Sequence, residues 1–116
     1  MIERISHRDT FRRLYADGDM VRRGGMTCRW IPDPSLPAPR VAYALSRHVG
    51  SAVRRNRLRR QLRAIVNSLA QEIPVGWLLI SLSPTLSTAS SPELTRLMRA
   101  IISEISASAQ STPARS

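Results

Sequence analysis

Between Arg47 and Arg63, seven arginines are threaded through the chain with no acid among them. An aliphatic series starts inside this stretch and runs beyond it: Leu58, Leu62, Ile65, Val66 and Leu69. Steps of three and four place those side chains on one stripe of an α-helix. At about 100° per residue, Asn56, Arg59, Arg60 and Arg63 fall on the opposite side, with Arg57 flanking them. A helix divided in this way docks its stripe on a core and holds its guanidinium-rich face outward. Acids are absent from Pro34 through Gln71, so nothing nearby in sequence neutralises that face. A fixed surface of this kind suits a folded polyanion.

The rest of the composition agrees. A chain of 116 residues supports one domain with a single modest core. Its net charge of +10 works against compactness unless a partner supplies negative charge. Nucleic acid is the first candidate and an anionic membrane surface the second. All 18 basic residues are arginine, whose planar forks pair with phosphate and stack on bases better than ammonium groups do. The lone Cys28 excludes an internal disulfide and fits a reducing compartment. No Cys/His spacing suits zinc, the start Met1-Ile2-Glu3-Arg4 lacks the apolar run of a signal peptide, and no stretch is long enough for a membrane span. The expected location is cytoplasmic.

Along the chain, Ser6 as cap and Asp9 in the first turn predict a helix from Ser6 to Asp17, with Phe11, Leu14 and Tyr15 on one face and Gly18 as its stop. Met20 to Ile31 reads as one strand with a bend or bulge at Gly24-Gly25, and leaves room for an extra short strand near Met20 to Arg22. Four prolines from Pro32 to Pro39 make a loop, and Arg40 to Ser46 alternates as a second strand. The two strands flanking the loop are expected to form an antiparallel pair. Alanines at 42 and 44 imply that the second face of that strand is approached closely. The arginine helix is expected over Ser51 to Gln71, ended by Pro74, and Val75 to Leu82 reads as a buried strand. Ser90-Ser91-Pro92-Glu93 opens a last helix whose apolar spacing runs through Ser106. A single domain over residues 1–106 and a disordered tail over 107–116 follow from this pattern. The expected fold class is α+β: a two-layer sandwich in the order α-β-β-(β)-α-β-α around a small mixed sheet. Its helices would cover one face and leave the other free.

The segment from Arg40 to Arg63 closely resembles the signature of the protein subunit of bacterial ribonuclease P. Gly50 with Ala52-Val53 matches the helix start, Arg55-Asn56-Arg57 the central tripeptide, and Arg59-Arg60 the basic pair. His48 stands where a basic residue is usual and Ser51 where Asn is usual. The likeness extends to Asp9-Thr10-Phe11 through Gly18, to Gly76-Trp77-Leu78-Leu79-Ile80 and to the final amphipathic helix. It implies a left-handed crossover around the arginine helix, which spacing alone does not, since the general rule is right-handed.

The resemblance also implies a function. The protein would bind the catalytic RNA through Arg47, Arg54, Arg55, Asn56, Arg57, Arg59, Arg60 and Arg63. A cleft of sheet and first helix, with Phe11, Tyr15, Arg12 and Arg29, would hold the 5′ leader of precursor tRNA. The RNA subunit would hydrolyse the phosphodiester with Mg²⁺ that it holds itself. The residues independently suggest no catalytic apparatus: the eight acids are scattered, and His7 and His48 have no acidic neighbour or nucleophile. Phe11 and Tyr15 read equally as core or as a stacking platform, and contacts by Arg22, Arg23, Arg29 and Trp30 stay open. Two rivals remain: an RNA-binding protein of ribosomal type, and a membrane-surface protein. The latter is disfavoured because the apolar stripe of the arginine helix is needed to cover strands.

Overall fold

The computed structural model describes residues 3–4 and 8–111, with side chains over residues 12–108. Five strands and three helices follow one another: β1 (Glu3–Arg4), α1 (Arg8–Asp17), β2 (Asp19–Arg23), β3 (Met26–Pro32), β4 (Arg40–Ala44), α2 (Ala52–Ser68), β5 (Gly76–Leu82) and α3 (Ser91–Ser111). The Ser6 cap, His7, the Phe11 side chain and residues 112–116 of the expected tail lie outside the described residues.

The strands form one mixed sheet in the order β1-β4-β5-β3-β2. β5 takes the centre because both its faces are apolar: Leu78, Ile80 and Leu82 point to one side and Leu79 to the other, all buried. It pairs antiparallel with β3 (Cys28 opposite Ile80) and parallel with β4 (Val41 opposite Leu78). The expected antiparallel pairing of β3 with β4 is therefore corrected: the two strands lie on either side of β5. A parallel β4–β5 pair needs a long crossover, and α2 supplies it. The proline-rich loop between β3 and β4 has no ladder to close and spans the width of β5.

Gly24 and Gly25 have φ of 54° and 97°, the signs of a two-residue type I′ turn. The Met20–Ile31 region is accordingly a hairpin, β2 against β3, with Arg23 opposite Met26. The short extra strand is present. β1, only two residues long and parallel to β4, carries no pattern that sequence reading could detect.

One face of the sheet meets α2 and α3. The α2 stripe (Leu58, Leu62, Ile65, Val66 and then Leu69) and the α3 series from Leu94 to Ile105 share one buried cluster with Met26, Cys28, Trp30 and Ile80. α1 lies on the other face, where Leu14 is wholly buried against Ala42 and Leu79. The helices thus cover both faces, against the expectation of one. The small side chains of Ala42 and Ala44 let α1 approach, as their alternation in β4 implied.

α2 ends earlier than the expected Gln71. The Leu69 N–H is shared between the carbonyls of Ile65 and Val66, both at 3.1 Å, and the chain tightens into a 3₁₀ turn over Ala70–Glu72. α3, in contrast, continues past Ser106 to Ser111.

Candidate nucleic-acid interface

The phase of the arginines is set at the start of α2. A 3₁₀ turn, Arg47–Val49, buries Val49 and leaves Arg47 and His48 exposed. Gly50 follows with φ of 154°, a region that residues with a Cβ rarely enter, and turns the chain onto the helix axis. Ser51 then caps α2, its Oγ accepting the Arg54 N–H at 3.2 Å. Serine here performs the capping that asparagine also can.

From that start, the buried stripe divides the arginines into two flanks. Arg55, Arg59 and Arg63 are four residues apart and partly buried on one flank. The Arg63 guanidinium lies 6.0 Å from the Tyr43 ring on β4, and Arg59 Nη1 donates to Asn56 Oδ1 at 3.0 Å. Arg54, Arg57 and Gln61 form the other flank, toward α3. Arg54 Nη1 donates to the Ser87 carbonyl at 3.1 Å, and Gln61 Nε2 to Ser91 Oγ at 2.9 Å. Asn56 and Arg60 stand exposed on the crest between them. Arg23 pairs with Glu104 and Arg99 with Glu72, and no α2 arginine has a carboxylate partner among the described residues. Arg55 Nε is buried with no hydrogen-bond partner among the described residues. The eight residues expected to bind RNA are therefore contiguous at the surface, but not on one face.

A second surface lies on the α1 side of the sheet. Tyr15 is 55% exposed, and the Arg29 guanidinium stacks on its ring at 4.7 Å. Of the four residues left open, Arg29 faces this side, while Trp30 is buried under α2 and α3 and its Nε1 has no hydrogen-bond partner among the described residues. Arg12 is exposed three residues before Tyr15 on α1, which places the two side by side on the helix surface. Met20 and Arg22, opposite Arg29 and Thr27 in the hairpin, extend the same face.

Sequence reasoning took Trp77 for a core residue, yet it belongs to this surface. It is half-buried, the Arg40 guanidinium lies 5.0 Å from its ring, and its indole N–H donates to Asp33 Oδ2 at 3.1 Å. Asp33 is held below the ordinary carboxylate value, first by the Ser35 hydroxyl and then by the Trp77 indole. The period of two in β5 was the available signal, because it puts Trp77 on the face of Leu79 rather than that of Leu78. Cys28 lies within the sheet core, and burial pushes its thiol up to about 12. Among the described residues, no group of three or more His, Cys, Asp or Glu could hold a metal ion, and no helix is long and apolar enough to cross a membrane.

A capped, acid-free arginine helix on a mixed sheet, with aromatic and guanidinium groups on the sheet's other face, defines an α+β protein of the RNA-binding class. The sequence profile of the family described as Ribonuclease P matches residues 2–106. The ribonuclease P protein component of Beutenbergia cavernae is 33% identical over 113 residues, covering 97% of this chain and 95% of that protein. That of Microcystis aeruginosa is 38% identical over 80 residues, covering 66% and 67%. Two solved structures share the fold at TM-score 0.80. The RNase P protein of Thermotoga maritima has 20% identity and coverage of 89% and 97%, and that of Staphylococcus aureus 16% identity and coverage of 89% and 94%. The chain belongs to the ribonuclease P protein family, whose setting is RNA binding and tRNA processing.

Proposed function

We propose that α2 grips the catalytic RNA of ribonuclease P while the α1 side of the sheet receives the 5′ leader of precursor tRNA. The observation that carries this reading is the acid-free display of Arg54, Arg55, Asn56, Arg57, Arg59 and Arg60 on a helix held by four buried aliphatics and by Leu69 at its end. Arg47, exposed before the helix, and Arg63, beside Tyr43, complete the surface. Each guanidinium that replaces condensed cations on phosphate adds to affinity and to its salt dependence. The arginines thereby take over part of the screening that the bare RNA draws from divalent ions.

In this reading Mg²⁺ and the hydrolytic step belong to the RNA, and the protein lowers the Mg²⁺ requirement. Tyr15 and Arg29 offer the leader a ring and a cation, and Phe11 and Arg12 contribute from the same helix. A cytoplasmic holoenzyme acting on precursor tRNA follows.

The test is cleavage of a 5′-extended precursor tRNA at limiting Mg²⁺ by the organism's own ribonuclease P RNA, by this protein, and by the two together. Cleavage restored only in the mixture is the expected result. Cleavage by the protein alone would overturn the assignment of chemistry to RNA. Tight RNA binding without any effect on cleavage would favour an RNA binder of ribosomal type.

A further inference from the structure

The two flanks of α2 do not address the same space. Arg55, Arg59 and Arg63 lean toward β4, while Arg54, Arg57 and Gln61 lean toward α3. An α-helix with its side chains is about 10–12 Å across, so flanks on opposite sides of its buried stripe open in different directions. A strand lying on the first flank therefore leaves the second unused.

The second flank is concave. Arg54, Arg57, Gln61, Ser87, Ser90 and Ser91 border an open cavity of about 450 Å³ between α2 and the start of α3. It continues into one of about 590 Å³ that adds Arg60 and Ser68 and shares Arg57, Gln61 and Ser91. On the far side of Ser91, a third hollow carries Arg96 and Arg99. The nearby carboxylates are Glu93, exposed in the first turn of α3, and Glu72, which sits 3.9 Å from Arg99. Hydroxyls, an amide and guanidiniums stand among apolar side chains such as Leu58, Ala64 and Ile65 along these adjoining hollows, with an excess of positive charge. Those polar groups are the ones that meet phosphate and ribose oxygens. The two hydrogen bonds that cross between α2 and the α3 side, Arg54 to Ser87 and Gln61 to Ser91, hold the walls at a set spacing.

We infer that the groove between α2 and α3 is a second phosphodiester-binding site, so that α2 bridges two segments of its RNA partner. This rests on the proposed binding of ribonuclease P RNA by α2 and adds Ser91, Gln61, Arg96 and Arg99 to that interface. The helix then acts as a clamp between RNA strands as well as a point of attachment.

Hydroxyl-radical footprinting of the organism's own ribonuclease P RNA tests it, with three proteins compared. In Ser91→Asp, a negative charge enters the shared wall at the first position of α3, where an acid favours the helix, so folding is not harmed. In Arg55→Ala/Arg59→Ala the other flank is stripped, and the third protein is wild type. Two separate protected stretches are expected with wild type. Ser91→Asp should lose one and the double variant the other, and Ser91→Asp should lower the salt slope of binding by about 0.7–0.9 per phosphate released. If Ser91→Asp keeps both stretches, or if both variants lose the same one, the second site does not exist. If wild type protects nothing, the assignment of α2 to this RNA fails first, and the groove with it.

Discussion

The guanidinium carbon of Arg29 lies 4.7 Å from the centre of the Tyr15 ring, tying β3 to α1 on the face of the sheet that α1 covers. An exposed contact of this kind is worth about 0.5–1 kcal/mol, enough to orient the ring without hiding it. With Tyr15 still 55% exposed, an unstacked base has a surface to lie on. Stacking of a base on an aromatic contributes ~1–3 kcal/mol, so Tyr15→Ala should weaken holoenzyme binding of a leader-bearing precursor by about one order of magnitude or more. Binding of mature tRNA should be unchanged, and Tyr15→Phe should retain affinity. Fluorescence anisotropy with the two RNAs decides it; equal losses for both would mean that Tyr15 does not meet the leader.

How much of this was legible in the chain depends on how local each signal is. α2 could be read because its aliphatics recur at helical spacing between arginines, and β5 because Trp77 to Leu82 is an almost unbroken apolar run. The pairing of β4 with β5 was not legible. An apolar run says that a strand is central without saying which strands are its neighbours, and the parallel register is set by how α2 packs. The side taken by α1 was hidden for a similar reason, since one buried leucine suits either face of a sheet. Trp77 and Trp30 show the same limit: both lie in strands rich in apolar residues, and only the register sends Trp30 under α2 and α3 and Trp77 to the α1 side. The split of the arginines into two flanks was missed because Arg55, Arg59 and Arg63 border one edge of the stripe closely enough to be partly buried, while Arg54 and Arg57 border the other.

Gly50 is expected to be intolerant of any Cβ. Space is not the obstacle, because an added Cβ would meet the flexible Arg54 side chain, its Cδ at 2.8 Å. The backbone is the obstacle: φ of 154° strains an L-residue by roughly 1–3 kcal/mol. Gly50→Ala should lower the unfolding free energy by about that amount in urea titrations. A variant as stable as wild type would show that the turn into α2 relaxes without cost.

Asp33 supplies a pH-dependent contact. The Ser35 hydroxyl, the Trp77 indole and, more weakly, the charge of Arg13 favour its ionised form, so its folded value lies below the usual 3.8. The unfolded chain therefore takes up the proton first as pH falls. The contact stabilises fully above pH 3.8, and its contribution is lost as pH drops through the lower folded value. The indole N–H resonance of Trp77 should move with a midpoint below 3.8, and Asp33→Asn should abolish the movement. A midpoint at or above that value would mean that the Ser35 and Trp77 bonds do not hold in solution.

Cys28 is opposite in sign. It is wholly buried at the register point facing Ile80, and loss of solvation pushes its thiol up from 9.0 to about 12, against a smaller opposing effect of the Leu79 backbone N–H. Alkylation requires the thiolate, so the native protein should resist iodoacetamide at pH 8 and react only through opening of the sheet. Its alkylation rate should then rise with added urea in step with unfolding. The linkage also has a definite direction. Above pH 9.0 the unfolded chain releases the Cys28 proton while the folded protein keeps it, so stability present below that pH falls as pH rises toward 12. Cys28→Ala should therefore lose less stability than wild type between pH 8 and pH 10.5, as read from urea midpoints at the two values. Equal losses would place the thiol in contact with water, and the β3–β5 register that buries it would have to be wrong.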